Sequence, residues 1–112
     1  MTPDGPLPLT PLSLAILMAL ADGELHGYGI MKAIQQQSDG HLRAGAGSLY
    51  AALDRMERTG WIAEKSGIDA AGETQRRFAI TRAGRSVARA EAVRLAAVLR
   101  QARQQKLLPE GS

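Results

Sequence analysis

Two stretches of this chain decide its fold: residues 44–62, AGAGSLYAALDRMERTGWI, and residues 72–84, GETQRRFAITRAG. The first begins with small residues and then repeats apolar residues at spacings of four and three: Leu49, Leu53 and Met56. This repeat predicts an amphipathic helix over about residues 46–59, because side chains three and four apart share one helical face. Gly60 predicts the end of that helix.

The second stretch covers the second half of a predicted β-hairpin and the start of the helix that follows it. Residues 61–66 and 75–80 are short strand-like runs, and residues 67–74 between them contain two glycines, which is typical of a turn. Thr81 precedes a further apolar repeat and predicts the N-cap of a last helix, which extends to about Gln105.

Two more helices are predicted upstream of these stretches. Thr10 followed by Pro11 predicts the start of a first helix to about Ala21, since proline is favoured at the first helical position. His26 lies in a turn, and we expect it to cap a second helix over about residues 27–38. Three aromatic side chains are predicted to belong to the core: Tyr28, Trp61 and Phe78.

These elements predict an α+β, mainly α, fold class: a winged helix-turn-helix with a C-terminal dimerisation helix. At 112 residues we expect one folded unit with a modest core, so an oligomer would add stability. The expected boundaries are a flexible N-terminal arm over residues 1–9, the winged helix-turn-helix domain over 10–81, the dimerisation helix over 82–106 and a tail over 107–112.

The last predicted helix carries a seam of small and aliphatic residues at spacings of four, three, four and three: Ala88, Ala92, Leu95, Leu99 and Ala102. Such a repeat places all five side chains on one helical face. We therefore predict that this face is the interface of a homodimer.

Composition excludes several function classes. The chain has no cysteine, which rules out disulfides, cysteine-based zinc sites and thiol catalysis, and its two histidines lack the carboxylates that would complete a metal site. Neither a carboxylate pair, a nucleophile with its base, nor a phosphate-binding loop is visible, so we expect no catalytic residues, no metal, no cofactor and no enzyme.

The hydropathy pattern gives an expected location. The longest unbroken apolar run, residues 14–21, has eight residues, against about 20 for a membrane span. The start of the chain does not resemble a signal peptide either. We therefore expect a cytoplasmic protein with no membrane partner.

Positive charge is concentrated in the second half of the chain. The formal net charge is +3, yet residues 76–106 hold nine basic residues and one acidic residue, Glu91. This density suits a polyanion such as double-stranded DNA. A solvated helix face is the alternative interpretation.

The predicted third helix is a candidate to enter a DNA major groove, which is about 12 Å wide and admits a helix. Gly47 and Ser48 allow close approach to phosphate, while a tight interhelical turn would equally explain small residues there. Tyr50 could present its hydroxyl to phosphate or pack at the core edge, and Arg55 could reach DNA or be solvated. The full set of candidate DNA-binding residues is Lys32, Gly47, Ser48, Tyr50, Arg55, Arg76 and Arg77.

Over residues 9–106 the chain resembles the PadR family of transcriptional regulators. The motifs that carry the resemblance are HGY at 26–28, GSLY at 47–50 with Leu53, Arg55, Met56, Glu57 and Gly60, and RRFAIT at 76–81 with Gly84. The single final helix is similar to the short subgroup of that family. Three positions depart from the common family pattern: Gly29, Ala51 and Arg77.

The resemblance implies a homodimeric winged-helix repressor, with the Tyr50 position and the wing on operator DNA and the last helix against the partner chain. A small-molecule effector of unknown identity is compatible with it. Some family members hold planar aromatic drugs between tryptophans of their C-terminal helices, but residues 82–106 contain no aromatic residue here. The alternative function is a winged-helix protein-interaction module without DNA binding.

Overall fold

The structure is a computed structural model, and it describes residues 7–68 and 70–109. It is an α+β fold, mainly helical, as the sequence predicted. In chain order the elements are α1 (Pro11–Ala19), β1 (Leu25–His26), α2 (Gly27–Gln37), α3 (Ala46–Thr59), β2 (Ile62–Ile68), β3 (Thr74–Ile80) and α4 (Arg82–Gln104).

The sheet has three strands in the order β1, β3, β2, and both pairings are antiparallel. The β2–β3 hairpin is the predicted wing, whereas the two-residue strand β1 was not predicted. In β1, Leu25 lies opposite Phe78 and His26 opposite Arg77. Because α2 begins directly after β1, the wing and the second helix are joined through this short strand.

Local side-chain interactions fix the helix ends, and the predicted caps are confirmed. The Thr10 hydroxyl accepts the backbone N–H of Ser13 at 3.1 Å, and His26 Nδ1 accepts that of Gly29 at 3.1 Å. The hydroxyl of Thr81 begins α4 in the same way. Gly60 ends α3 in the left-handed region, with φ of 88°, where glycine lacks the Cβ clash of other residues.

The core lies between the three N-terminal helices and the inner face of the sheet. The predicted stripe of α3, Leu49, Leu53 and Met56, is fully buried, and so is Phe78. Trp61 is half-buried at the edge of this core.

The prediction that Tyr28 faces the core is wrong, because its side chain is 64% exposed. Gly27 and Ile30 occupy the buried face of α2, and successive helical residues are about 100° apart, so Tyr28 projects outward. There its ring lies edge-on to His26 and 5.6 Å from the Lys32 ammonium.

A buried carboxylate ties the start of the described chain to α4. Glu91 is only 2% exposed, and its Oε2 accepts the backbone N–H of Leu9 at 3.0 Å. Arg94 donates to both carboxylate oxygens, at 2.6 and 3.0 Å. Leu9 is buried in the core, so the expected flexible arm over residues 1–9 does not extend to Leu9, and residues 1–6 lie outside the described part of the chain.

The hydrogen bonds from Arg94, with that from Leu9, outweigh the cost of burial and hold the pKa of Glu91 below its ordinary value. A carboxyl with a lowered folded-state pKa stabilises the fold at neutral pH, and this contribution is lost as pH falls through the folded pKa. We therefore expect Glu91→Gln to destabilise the protein at neutral pH and to flatten the dependence of unfolding free energy on pH below about pH 5.

Urea unfolding at a series of pH values measures this effect. Glu57→Gln on α3 removes the same charge from a site outside the buried cluster and serves as the control. Wild-type pH dependence in Glu91→Gln would contradict the assignment.

The two halves of helix α4 differ in burial. Gly84, Val87 and Glu91 in its first half are buried, so this half belongs to the same core as α1. Beyond Glu91 the helix projects, with Val93, Val98 and Leu99 exposed. Within residues 7–68 and 70–109, no helix combines the length and apolar character needed to cross a bilayer.

Candidate nucleic-acid interface

The first turn of α3 offers an open surface of small residues. Ala46, Gly47 and Ser48 are exposed, and a Cβ added at Gly47 would meet no heavy atom within 4 Å. The N-cap residue, Gly45, has no side chain to accept the first-turn N–H groups. Such N–H groups at the positive end of a helix favour an anionic partner.

The second half of the exposed α3 face is charged, with Asp54, Arg55 and Arg58 on its surface. Arg55 lies seven residues after Ser48, which is close to two helical turns, so the two residues share a face. It also borders a shallow depression beside Pro8 and Thr10 at the start of α1. Arg55 is therefore exposed on the Ser48 face of α3, close to the start of α1.

Tyr50 is half-buried between α3, α2 and the wing. Its hydroxyl lies against Gly27, where an added Cβ would also be 2.7 Å from the Tyr50 Cζ. The Arg76 guanidinium lies 5.5 Å from the centre of its ring. The expectation of an outward hydroxyl is not met, since the side chain reaches back to the first residue of α2.

The structure places both predicted wing arginines beside carboxylates. Arg76 donates to Glu64 from Nε at 2.9 Å and from Nη2 at 3.0 Å, and Nη2 lies 3.5 Å from an oxygen of Asp54. The hydrogen bonds from Arg76 lower the pKa of Glu64, and those to Glu64 raise the pKa of Arg76. The positive charge of Arg76 on the wing is thus largely neutralised.

Arg77 lies on the opposite face of β3. Its Nε donates to Glu24 at 3.1 Å and its Nη1 to Gln75 at 3.2 Å, so it joins the wing to the residues before β1. Its aliphatic stem covers Gly67 of β2, where an added Cβ would be 2.7 Å from the Arg77 Cδ. The interaction is partly exposed and remains open to competition by another anion.

Two further cations, on α2 and β2, are exposed near the elements described above. Lys32 is exposed on α2 and lies over the ring of Tyr28. Lys65 was not among the sequence candidates, although it is exposed directly opposite Arg77 in the β2–β3 register. None of the carboxylates in residues 7–68 and 70–109 forms an ion pair with Lys65. Its position in a short polar strand run is the signal that could have identified it.

The three N-terminal helices, with α3 exposed beside an antiparallel hairpin, define a winged helix-turn-helix. Residues 16–90 match the model of the transcriptional regulator PadR-like family. The chain belongs to this family and is a PadR-family transcriptional regulator. The family consists of regulators and not of enzymes.

Known relatives agree in fold. A PadR family transcription regulator from Clostridium difficile R20291 superposes with a TM-score of 0.74 at 20% identity, over 85% of this chain and 97% of that one. Bacillus subtilis PadR, solved in complex with operator DNA, superposes with a TM-score of 0.64 at 24% identity, over 71% of this chain and 45% of that one.

A curated relative is much longer than this chain. An uncharacterised 37.1 kDa protein of transposon Tn4556 from Streptomyces fradiae is 47% identical over 81 residues, which are 70% of this chain. The chain spans 21% of the length of that relative.

Proposed function

We propose that this regulator is a repressor that binds double-stranded operator DNA as a homodimer. The observation that carries the proposal is the open first turn of α3, where small residues and uncapped N–H groups face outward beside the wing. A helix of this kind fits the major groove, and its N-terminus suits a phosphate. Bacillus subtilis PadR, which shares this fold, was solved in complex with operator DNA, and this supports duplex DNA as the partner.

The proposed DNA contacts divide by position. Gly47 and Ser48 approach the duplex most closely, with Arg55 further along α3. Lys32 on α2 and Arg77 on β3 are proposed for phosphate contacts, which position a protein without reading sequence. Lys65 extends this set on the wing.

An apolar groove supports the homodimer. It has a volume of about 530 Å³ and lies between α1 and one face of α4. Four of the five predicted interface residues line it: Ala88, Ala92, Leu95 and Leu99. Leu14, Met18 and other α1 side chains form its opposite wall, and Met18 is 52% exposed. The fifth predicted residue, Ala102, lies beyond the groove towards the end of α4.

Covering this groove with the α4 of a second copy would remove aliphatic surface from water. A symmetric dimer would also present two copies of α3 to two half-sites about 34 Å apart, as a dimeric helix-turn-helix regulator requires.

We extend the proposal to a small-molecule effector that binds in the part of this groove that the partner α4 leaves uncovered. Its lining is mainly leucine, alanine and methionine with Arg85 and Arg89, and no aromatic side chain is among them. Stacking of planar ligands is therefore not available from these residues, which favours an aliphatic or anionic ligand. Titrating the dimer with a straight-chain amphiphile and with a planar cationic dye compares the two ligand classes.

Ser48→Glu tests DNA binding without unfolding the helix. An acidic residue in the first turn of a helix is favourable for the helix, but here it would meet phosphate. We expect normal thermal stability and a loss of duplex affinity of at least about tenfold, equal to about 1.4 kcal/mol. Fluorescence anisotropy with operator-length duplex at several salt concentrations measures it.

The same titrations separate the two candidate functions. The log of the wild-type binding constant should fall linearly with log salt, by about 0.9 per phosphate contact. Gln101→Glu makes the same charge change on exposed α4 and should bind as wild type does. A wild-type protein without salt-dependent duplex binding would favour the protein-interaction module.

A further inference from the structure

Arg76 makes more contacts than its neighbours on the wing. Its guanidinium donates two parallel hydrogen bonds to Glu64 of β2 and forms an ion pair with Asp54 of α3. The same guanidinium lies 5.5 Å from the Tyr50 ring centre and 5.2 Å from the Phe78 ring centre. One side chain of β3 thus contacts both β2 and the exposed helix α3.

The contacts of Arg76 are arranged to fix the angle between the wing and α3. Two parallel hydrogen bonds to one carboxylate restrain the guanidinium plane, as single contacts do not. Phe78 is fully buried, so the guanidinium rests against the edge of the core. Tyr50 is in turn held against Gly27 of α2.

The charges around Arg76 disfavour a phosphate there. Two carboxylates face one guanidinium, which leaves the cluster net negative. A DNA phosphate would have to displace Glu64 and would then lie near two acidic groups, where like charges repel. Arg77 and Lys65 lack this second acidic neighbour among the described ion pairs.

We propose that Arg76 is a positioning residue, which holds the wing at a set angle to α3, and that it does not contact a DNA phosphate. The proposal rests on the proposed DNA-binding function and revises the sequence interpretation of Arg76. Wing contacts then depend on Arg76 indirectly, because it sets where Arg77 and Lys65 lie relative to α3.

Arg76→Lys and Glu64→Gln distinguish the two roles by the direction of their effects. Lysine keeps the charge but cannot form the paired hydrogen bonds and reach Asp54 as well. For a positioning residue, each variant should weaken binding to operator-length duplex by about tenfold at fixed salt. For a phosphate contact, Arg76→Lys should bind nearly as wild type does, and Glu64→Gln should release the cation and strengthen binding.

Two control variants separate the effect of charge from the effect of wing geometry. Glu57→Gln makes the charge change of Glu64→Gln on α3 outside the cluster, and its affinity gives the effect of charge alone. The pair Arg76→Glu with Glu64→Arg restores an ion pair at unchanged net charge, and it should recover part of the affinity lost by Arg76→Glu alone.

A second measurement does not use DNA. Amide hydrogen exchange in β2 and β3 should accelerate in Arg76→Lys, while the buried part of α3 keeps its protection. Unchanged wing exchange together with wild-type affinity in Arg76→Lys would overturn this proposal and leave DNA binding intact. Absence of duplex binding by the wild-type protein would overturn both proposals.

Discussion

Gly84→Ala is expected to lower the melting temperature by roughly 15 °C, which corresponds to a destabilisation of about 3 kcal/mol. Gly84 is buried in the first turn of α4, and an alanine methyl there would collide with the backbone carbonyl oxygen of Trp61. It would also lie 3.0 Å from the Ile80 Cγ1. Because that carbonyl accepts the N–H of Thr81 at 3.0 Å, relief of the collision breaks a hydrogen bond at the start of α4.

Gly47→Ala is the matched control for this substitution. Gly47 is also in the first turn of a helix, but its surroundings are open. Alanine is favoured over glycine in helices by up to about 1 kcal/mol, so this variant should melt at or above the wild-type temperature. Differential scanning calorimetry of both variants makes the comparison. Wild-type melting of Gly84→Ala would show that α4 can shift away from the junction of α3 and β2.

Leu95→Glu combined with Leu99→Glu is expected to dissociate the proposed homodimer. Both leucines line the groove between α1 and α4, and Leu99 is 45% exposed in the single chain. Burial of a leucine contributes about 1.5 to 3 kcal/mol, and burial of an unpaired carboxylate is strongly unfavourable. We expect the dimer Kd to rise by at least about a thousandfold, equal to about 4 kcal/mol.

Sedimentation equilibrium measures this change, and tight operator binding should be lost with the dimer because a monomer contacts one half-site. Val93→Glu adds a single carboxylate at an exposed position of α4 outside the groove lining and should leave the dimer intact. If the double variant sediments as a dimer, the interface lies on another surface.

Local patterns made much of this fold predictable. The apolar spacing of α3 and the caps at Thr10, His26 and Thr81 depend on residues within one or two helical turns. The hairpin was predictable for the same reason, since its strands adjoin one turn. Interactions of this range are read directly from a short window of sequence.

Contacts between distant residues account for what the sequence left undetermined. Strand β1 forms only by pairing with β3, which follows it by about 50 residues. Arg77 also contacts Glu24, which is 53 residues away, and Glu91 contacts Leu9, which is 82 residues away. Charge counting therefore identified a basic wing but did not show that Arg76 and Arg77 already contact carboxylates.

The continuity of α4 has a consequence for regulation. No glycine or proline occurs from Arg85 to Gln104, so the buried anchor at Glu91 and the exposed Leu99 lie on one unbroken helix, about 12 Å apart along its axis. In the proposed homodimer this helix moves as one rigid body, because it contains no hinge. A ligand that tilts the two paired α4 helices would alter the separation of the two α3 helices. Their match to the half-site spacing would then change, although the ligand contacts neither DNA-facing surface.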